Sequence, residues 1–236
     1  MSAAQSTSHD TADTAASGTA VSGTPVPAAP TEPKAPRRSR GTATDLAQIA
    51  VFAALIAALG LPGALYLGGT AVPITFQTLG VMLAGAILGA RKGFLSVLLL
   101  LALVAAGLPL LSGGRGGLGV FVGPSVGYLL GWLLGAAVIG WLTARLLPRY
   151  RVLPALAATA LGGIVAVYLV GVPAFAAITG TPIGVALLGA TVFLPGDIAK
   201  VVVTVLVAKG VHRAWPGLIT PKPWPWRRNT AAPTDA

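Results

Sequence analysis

The sequence predicts an all-α integral membrane protein: a bundle of six transmembrane helices with both termini in the cytoplasm. Three observations predict it. Hydrophobic residues make up 55% of the 236 and charged residues only 9%, where a soluble domain carries about a quarter charged residues. Six apolar segments are separated by turns rich in Gly, Pro or basic residues. Fourteen of the sixteen Lys and Arg residues fall on one side of a bundle with an even number of crossings, which the positive-inside rule assigns to the cytoplasm.

The elements follow in order. Residues 1–43 are rich in Ala, Ser, Thr and Pro without an apolar run, and are expected to form a disordered cytoplasmic tail. They do not resemble a signal peptide, because PRRSR (Pro36–Arg40) comes late and no cleavage site follows. Segment one runs over Asp45–Leu61 and is followed by the Gly- and Pro-broken loop Pro62–Thr75. Segment two is Phe76–Ala90, stopped by Arg91 and Lys92, and segment three is Phe94–Leu111. Both are short against the ~20 residues a span needs. The loop Ser112–Gly123 leads to segment four, Pro124–Leu147, and PRYR (Pro148–Arg151) closes it. Segment five is Val152–Ile178. An apolar re-entry through Gly184–Phe193 precedes segment six, Leu194–Ala214. The expected domains are therefore the tail 1–43, a membrane-embedded body over 44–215, and a basic, Pro- and Trp-rich cytoplasmic tail over 216–236.

Composition excludes several chemistries. Cysteine is absent and the histidines are His9 and His212 alone, so thiolate metal sites and disulfides have no raw material. Although the net charge is +10, no soluble basic face interleaved with aromatics points to nucleic acid. No metal and no cofactor are expected, and the chain is not expected to be an enzyme.

Two stripes of small residues suit close helix packing in lipid. Gly123, Gly127, Gly131 and Gly135 recur every four residues in segment four, where packing inside the bundle is expected. Ala50, Ala54 and Ala58, with Ala53 and Ala57 beside them, mark segment one as a surface for a second membrane protein.

LPGDIAK (Leu194–Lys200) places a carboxylate and an ammonium inside an apolar stretch. Ionisable groups at such depth cost at least ~2.5–3.5 kcal/mol each on insertion scales and usually face a cavity. Asp197 and Lys200 lie three apart, so a helix presents them on one face. They either neutralise each other or anchor a polar solute, with Asp197 accepting from N–H groups and Lys200 attracting a carboxylate. Pro195 suits the first turn of a helix, and Gly196 would permit close approach. Asp45 is expected in a helix N-terminal role.

Two loops add candidates. In GGRGGLG (Gly113–Gly119) four glycines flank Arg115, giving a flexible outer loop or a lid whose arginine reaches a ligand carboxylate. It is no phosphate cradle, lacking the Lys-Ser/Thr and the preceding strand. In VPITFQT (Val72–Thr78), Thr75, Phe76, Gln77 and Thr78 offer a ring and three uncharged hydrogen-bonding groups. Gln77 either reads a neutral polar head or bonds an adjacent helix. Tyr128 and Trp132, a turn apart, wall a pocket or belong to an interfacial belt. The loops and the Asp197–Lys200 helix start fall on one side of the predicted topology.

VPITFQTLGVMLAGAILGARKG (72–93), GLPLLSGGRGGLGVFVGPSVGYLLG (107–131) and FLPGDIAK (193–200) resemble the BioY family, the biotin-specific substrate-binding (S) components of energy-coupling factor (ECF) transporters. The resemblance covers about Asp45–Trp215. It implies high-affinity biotin capture and uptake, with biotin as transported substrate, in a bacterial cell membrane. It implies as partners a transmembrane coupling subunit and two ABC-type ATPases that hydrolyse ATP, consistent with the lack of a GxxxxGK[ST] motif in this chain. The family's final-helix aspartate and lysine match Asp197 and Lys200, its glycine-loop arginine matches Arg115, and its first-loop TFQ matches Thr75–Gln77. On this reading Asp197 meets the ureido N–H groups, Lys200 or Arg115 meets the carboxylate, and Phe76, Phe121 and Tyr128 form apolar walls. The alanine stripe resembles the seam by which such subunits dock on the coupling protein. An S component for another vitamin, a self-sufficient ion-coupled secondary transporter using Asp197 as proton relay, and a ligand-free scaffold remain as alternatives. An intramembrane hydrolase would lack a second embedded acid.

Overall fold

A computed structural model describes residues 40–63 and 72–222, which belong to one compact unit. The expected N-terminal tail as far as residue 39, the middle of the first loop (64–71) and the C-terminal tail from 223 onward lie outside the described residues. Seven α-helices make up the described part: α1 (Arg40–Ala58), α2 (Gln77–Ala105), α3 (Val126–Leu146), α4 (Val152–Ala160), α5 (Val167–Thr179), α6 (Ile183–Ala190) and α7 (Leu194–Ala214). A π-helical turn, Leu161–Ala166, joins α4 to α5, and a 3₁₀ turn, Thr191–Phe193, joins α6 to α7. No β-strand occurs among the described residues. Five helical stretches there are long and apolar enough to cross a membrane, with α4–α5 and α6–α7 each forming one of them. Expected segments four, five and six correspond to α3, α4–α5 and α7 to within two residues. Segment one starts earlier than expected, at Arg40.

Expected segments two and three merge into α2, which is broken at Gly89 (φ 85°, ψ 178°) and ends at Ala105, so residues 106–111 of segment three are not helical. The backbone conformation at Gly89 is open to glycine and strained for other residues. Beyond it the chain folds back along itself: a Cβ on Gly93 would lie 2.9 Å from the Gly85 Cα. Val81 and Ala84 on the first leg therefore share a core with Val97, Leu100 and Val104 on the second. Helix α3 closes over this reversal, where a Cβ on Gly140 would sit 2.2 Å from the Ala90 nitrogen. The segment after α7 covers it too. Ile219 is buried beside Gly89, and the Lys222 N–H donates to the Ala144 carbonyl at 2.8 Å. The expected tail from residue 216 thus begins with residues packed into the body, not with a free extension.

The glycine stripe of α3 packs inside the bundle. A Cβ on Gly127 would meet the Ala174 Cβ at 2.4 Å, on Gly131 the Val167 carbonyl at 2.8 Å, and on Gly135 the Gly162 carbonyl at 2.8 Å. Gly123 stands before the helix with nothing nearer than 3.9 Å and does not belong to the seam. The alanine stripe of α1 behaves differently. Ala50, Ala54 and Ala58 are exposed, Ala57 is half-buried, and Ala53 is buried in the core with Ile56. Asp45 lies beyond the first turn of α1, so its expected helix-terminal role gives way to an ion pair with Lys92 (3.2 Å). With Asp45 half-exposed, that pair contributes little. Buried along one face of α7 are Asp197, Lys200, Thr204 and, at its far end, His212, whose Nε2 meets the Ala86 carbonyl at 2.8 Å. Ala86 lies in the last turn before the Gly89 break, where helical carbonyls lose their partners.

Candidate functional site: a polar-anchored cavity

A cavity of about 600 Å³, counting its open mouth, lies among the start of α2, the Arg115 loop, the first turns of α3, the π-turn, the start of α5 and the start of α7. Val72, Ile74, Leu129, Trp132, Val167 and Phe193 supply apolar walls, and Asp197, Lys200, Arg115, Thr75 and Thr78 supply polar groups.

Asp197 and Lys200 enter it from the first turns of α7, where Pro195 occupies the initial positions that need no intrahelical N–H bond. Gly196 has open space around it, so no backbone approaches it as the sequence suggested. The two charges pair at 2.9 Å, and both residues are buried, at 5% and 8% exposure. Further donors and acceptors complete the network. Tyr168 Oη donates to Asp197 Oδ2 at 2.7 Å, and Lys200 Nζ donates to Thr78 Oγ1 at 2.8 Å. A buried ion pair survives where hydrogen bonds satisfy the remaining valences, and these supply them. Each carboxylate oxygen still keeps accepting capacity for a ligand donor.

Arg115 reaches the cavity from its loop by a different route. The Leu111 and Arg115 backbones exchange hydrogen bonds (3.0 and 3.2 Å), closing a tight turn in which Gly113 and Gly114 take positive φ. Its Nε donates to the Ser112 carbonyl and its Nη1 to Ser125 Oγ, each at 3.2 Å. Among the described residues no carboxylate lies within ion-pair distance of it. The lining thus holds two cations and one anion, and the guanidinium is the charge without a counter-ion.

Six of the eight expected site residues line this cavity: Asp197, Lys200, Arg115, Gln77, Thr75 and Tyr128. Gln77 does so while fully engaged elsewhere. Its Nε2 donates to the Ile56 and Leu110 carbonyls (3.3 and 3.0 Å), and its Oε1 accepts the Ser112 N–H (2.9 Å). Both amide hydrogens are used, so the side chain clamps α1 and the Arg115 loop onto α2, not a ligand head. Phe76 is about half-exposed and lies outside the lining, because it caps α2 one residue before Gln77 turns inward. Phe121 also lies outside the lining, packed against the core from the short 3₁₀ turn Leu118–Phe121. Residues not singled out beforehand take part: Tyr168, Ser125 and Phe193. Tyr128 makes edge-on contacts with two of them, Tyr168 (centroids 6.1 Å apart, 81°) and Phe193 (6.2 Å, 65°). The signal for Tyr168 was weak, since one tyrosine in an apolar helix gives no spacing to read.

An all-helical, membrane-capable chain that encloses a small, apolar-walled, charge-anchored cavity has the make-up of a multi-pass solute-binding membrane protein. The BioY family model matches residues 32–217, and the chain belongs to the BioY family. It is 45% identical over 177 residues to the biotin transporter BioY of Rhizobium etli, covering 73% of this chain and 95% of that one. The biotin transporter BioY of Rhodobacter capsulatus is 50% identical over 183 residues, covering 72% and 94%. A crystal structure of the S-component for biotin from an ECF-type ABC transporter superposes with a TM-score of 0.72 at 33% identity, covering 75% of this chain and 95% of that one.

Proposed function

We propose that the protein captures biotin and supports its uptake as the S component of an ATP-driven ECF transporter. One observation carries the reading: one apolar-walled cavity holds both a carboxylate with spare accepting capacity and a guanidinium without a counter-ion among the described residues. Biotin needs both, since its ureido N–H groups are donors and its tail is a carboxylate. Asp197 takes the ureido side. Arg115 takes the carboxylate, because Lys200 is already compensated by Asp197, so the choice between the two cations falls to Arg115. The membrane body crosses six times, with the two legs of α2 counted separately, and both termini lie in the cytoplasm with most of the basic residues. A coupling subunit docks on the exposed Ala50, Ala54 and Ala58 face of α1, and two ABC-type ATPases hydrolyse ATP. The S component itself needs no cofactor.

The test is a titration of purified protein with biotin, biotin methyl ester and a panel of other vitamins. Tight biotin binding is expected, with the ester at least tenfold weaker, a factor equal to 1.4 kcal/mol. Preference for another vitamin, or no binding, would overturn the reading.

A further inference from the structure

We infer that Tyr168 is a positioning residue: its hydroxyl fixes the Asp197 carboxylate in the orientation that presents an oxygen to a ligand N–H. This rests on the biotin-capture reading above. Tyr168 stands in the first turn of α5, two residues past the π-turn Leu161–Ala166. Gly163 and Tyr168, five residues apart, both line the cavity. Residues five apart point about 140° away from each other around a straight α-helix; the wider winding from Gly163 to Ala166, with its i→i+5 bonding, narrows that angle. Such turns interrupt helices mostly at functional sites. Glycine at 162 and 163 lets the widened turn approach its neighbours, since a Cβ at 162 would lie 2.4 Å from Ile139 Cγ1 and at 163 would lie 2.5 Å from Met82 Cε.

The hydroxyl then meets Asp197 Oδ2 at 2.7 Å while Lys200 holds Oδ1 at 2.9 Å. Two donors, one on each oxygen, fix the carboxylate plane where either alone would leave it free to turn about its own bond. The Tyr168 ring is held in turn by its edge-on contact with Tyr128. Lys200, three residues away on the same helix, supplies charge compensation; Tyr168, from a different helix, supplies direction.

Tyr168→Phe keeps the ring and its contact with Tyr128 and removes only the hydroxyl. The experiment measures dissociation constants of parent, Tyr168→Phe, Asp197→Asn and the double variant for biotin and for biotin methylated on a ureido nitrogen. Tyr168→Phe is expected to weaken biotin about 10- to 100-fold, the range for a hydrogen bond to a charged group. It should weaken the N-methylated ligand much less, and add little once Asp197 is Asn. Equal losses for both ligands would reduce Tyr168 to a packing residue and overturn the inference, and that comparison stands even if Asp197→Asn fails to fold. If the parent fails to bind biotin, the capture reading falls and this inference falls with it; equal losses in a parent that does bind biotin overturn this inference alone.

Discussion

Gly131→Ala tests the link between the α3 seam and the cavity. The added methyl would lie 2.8 Å from the Val167 carbonyl oxygen and 3.0 Å from the Val167 Cα. Both are backbone atoms, so no rotamer change relieves them. Restoring ordinary contact near 3.4 Å requires α3 and α5 to part by about 0.6 Å. Overpacking of this kind costs about 1–3 kcal/mol. In a chain of this size each kcal/mol lowers the melting temperature by about 2–4 °C. The displaced residue lines the cavity and precedes Tyr168, so biotin affinity should fall several-fold together with stability. Gly189→Ala is the control. It lies in α6 with nothing within 4 Å of its would-be Cβ, so it should leave melting unchanged or raise it slightly. The assay is thermal unfolding in detergent with biotin titration of the same samples. A Gly131→Ala protein that melts and binds like the parent would refute the seam as a constraint on the site.

Two further outcomes are expected. Asp197→Asn leaves the Lys200 ammonium buried without its counter-charge and should cost about 3–5 kcal/mol of stability; adding Lys200→Met should recover most of it without restoring biotin binding, and an equally unstable double variant would contradict the pair as the source of the loss. Ala54→Trp, on the exposed face of α1, should spare biotin binding and reduce co-purification with the proposed coupling subunit, whereas intact assembly would move the docking face elsewhere.

Much of this protein was legible in its sequence because lipid imposes a simple rule. Backbone polar groups in a membrane must be satisfied within helices, so apolar length and basic turns sufficed to mark α3, α4–α5 and α7. The same rule made Asp197 and Lys200 conspicuous, since charge amid apolar residues is costly without a partner or a cavity. The α3 glycines could likewise be read as a packing seam from spacing alone. Tertiary structure decided what spacing cannot encode. Gln77 became a clamp because the Ile56 and Leu110 carbonyls and the Ser112 N–H converge on it from positions 21 to 35 residues away. Tyr168 entered the site from the first turn of α5, just past a π-turn that no sequence spacing announces. Phe76 and Phe121 fell outside because side-chain direction, not proximity in sequence, determines what a residue lines. Local pattern reports which groups must be buried or paired; only the packed chain determines which partners they find.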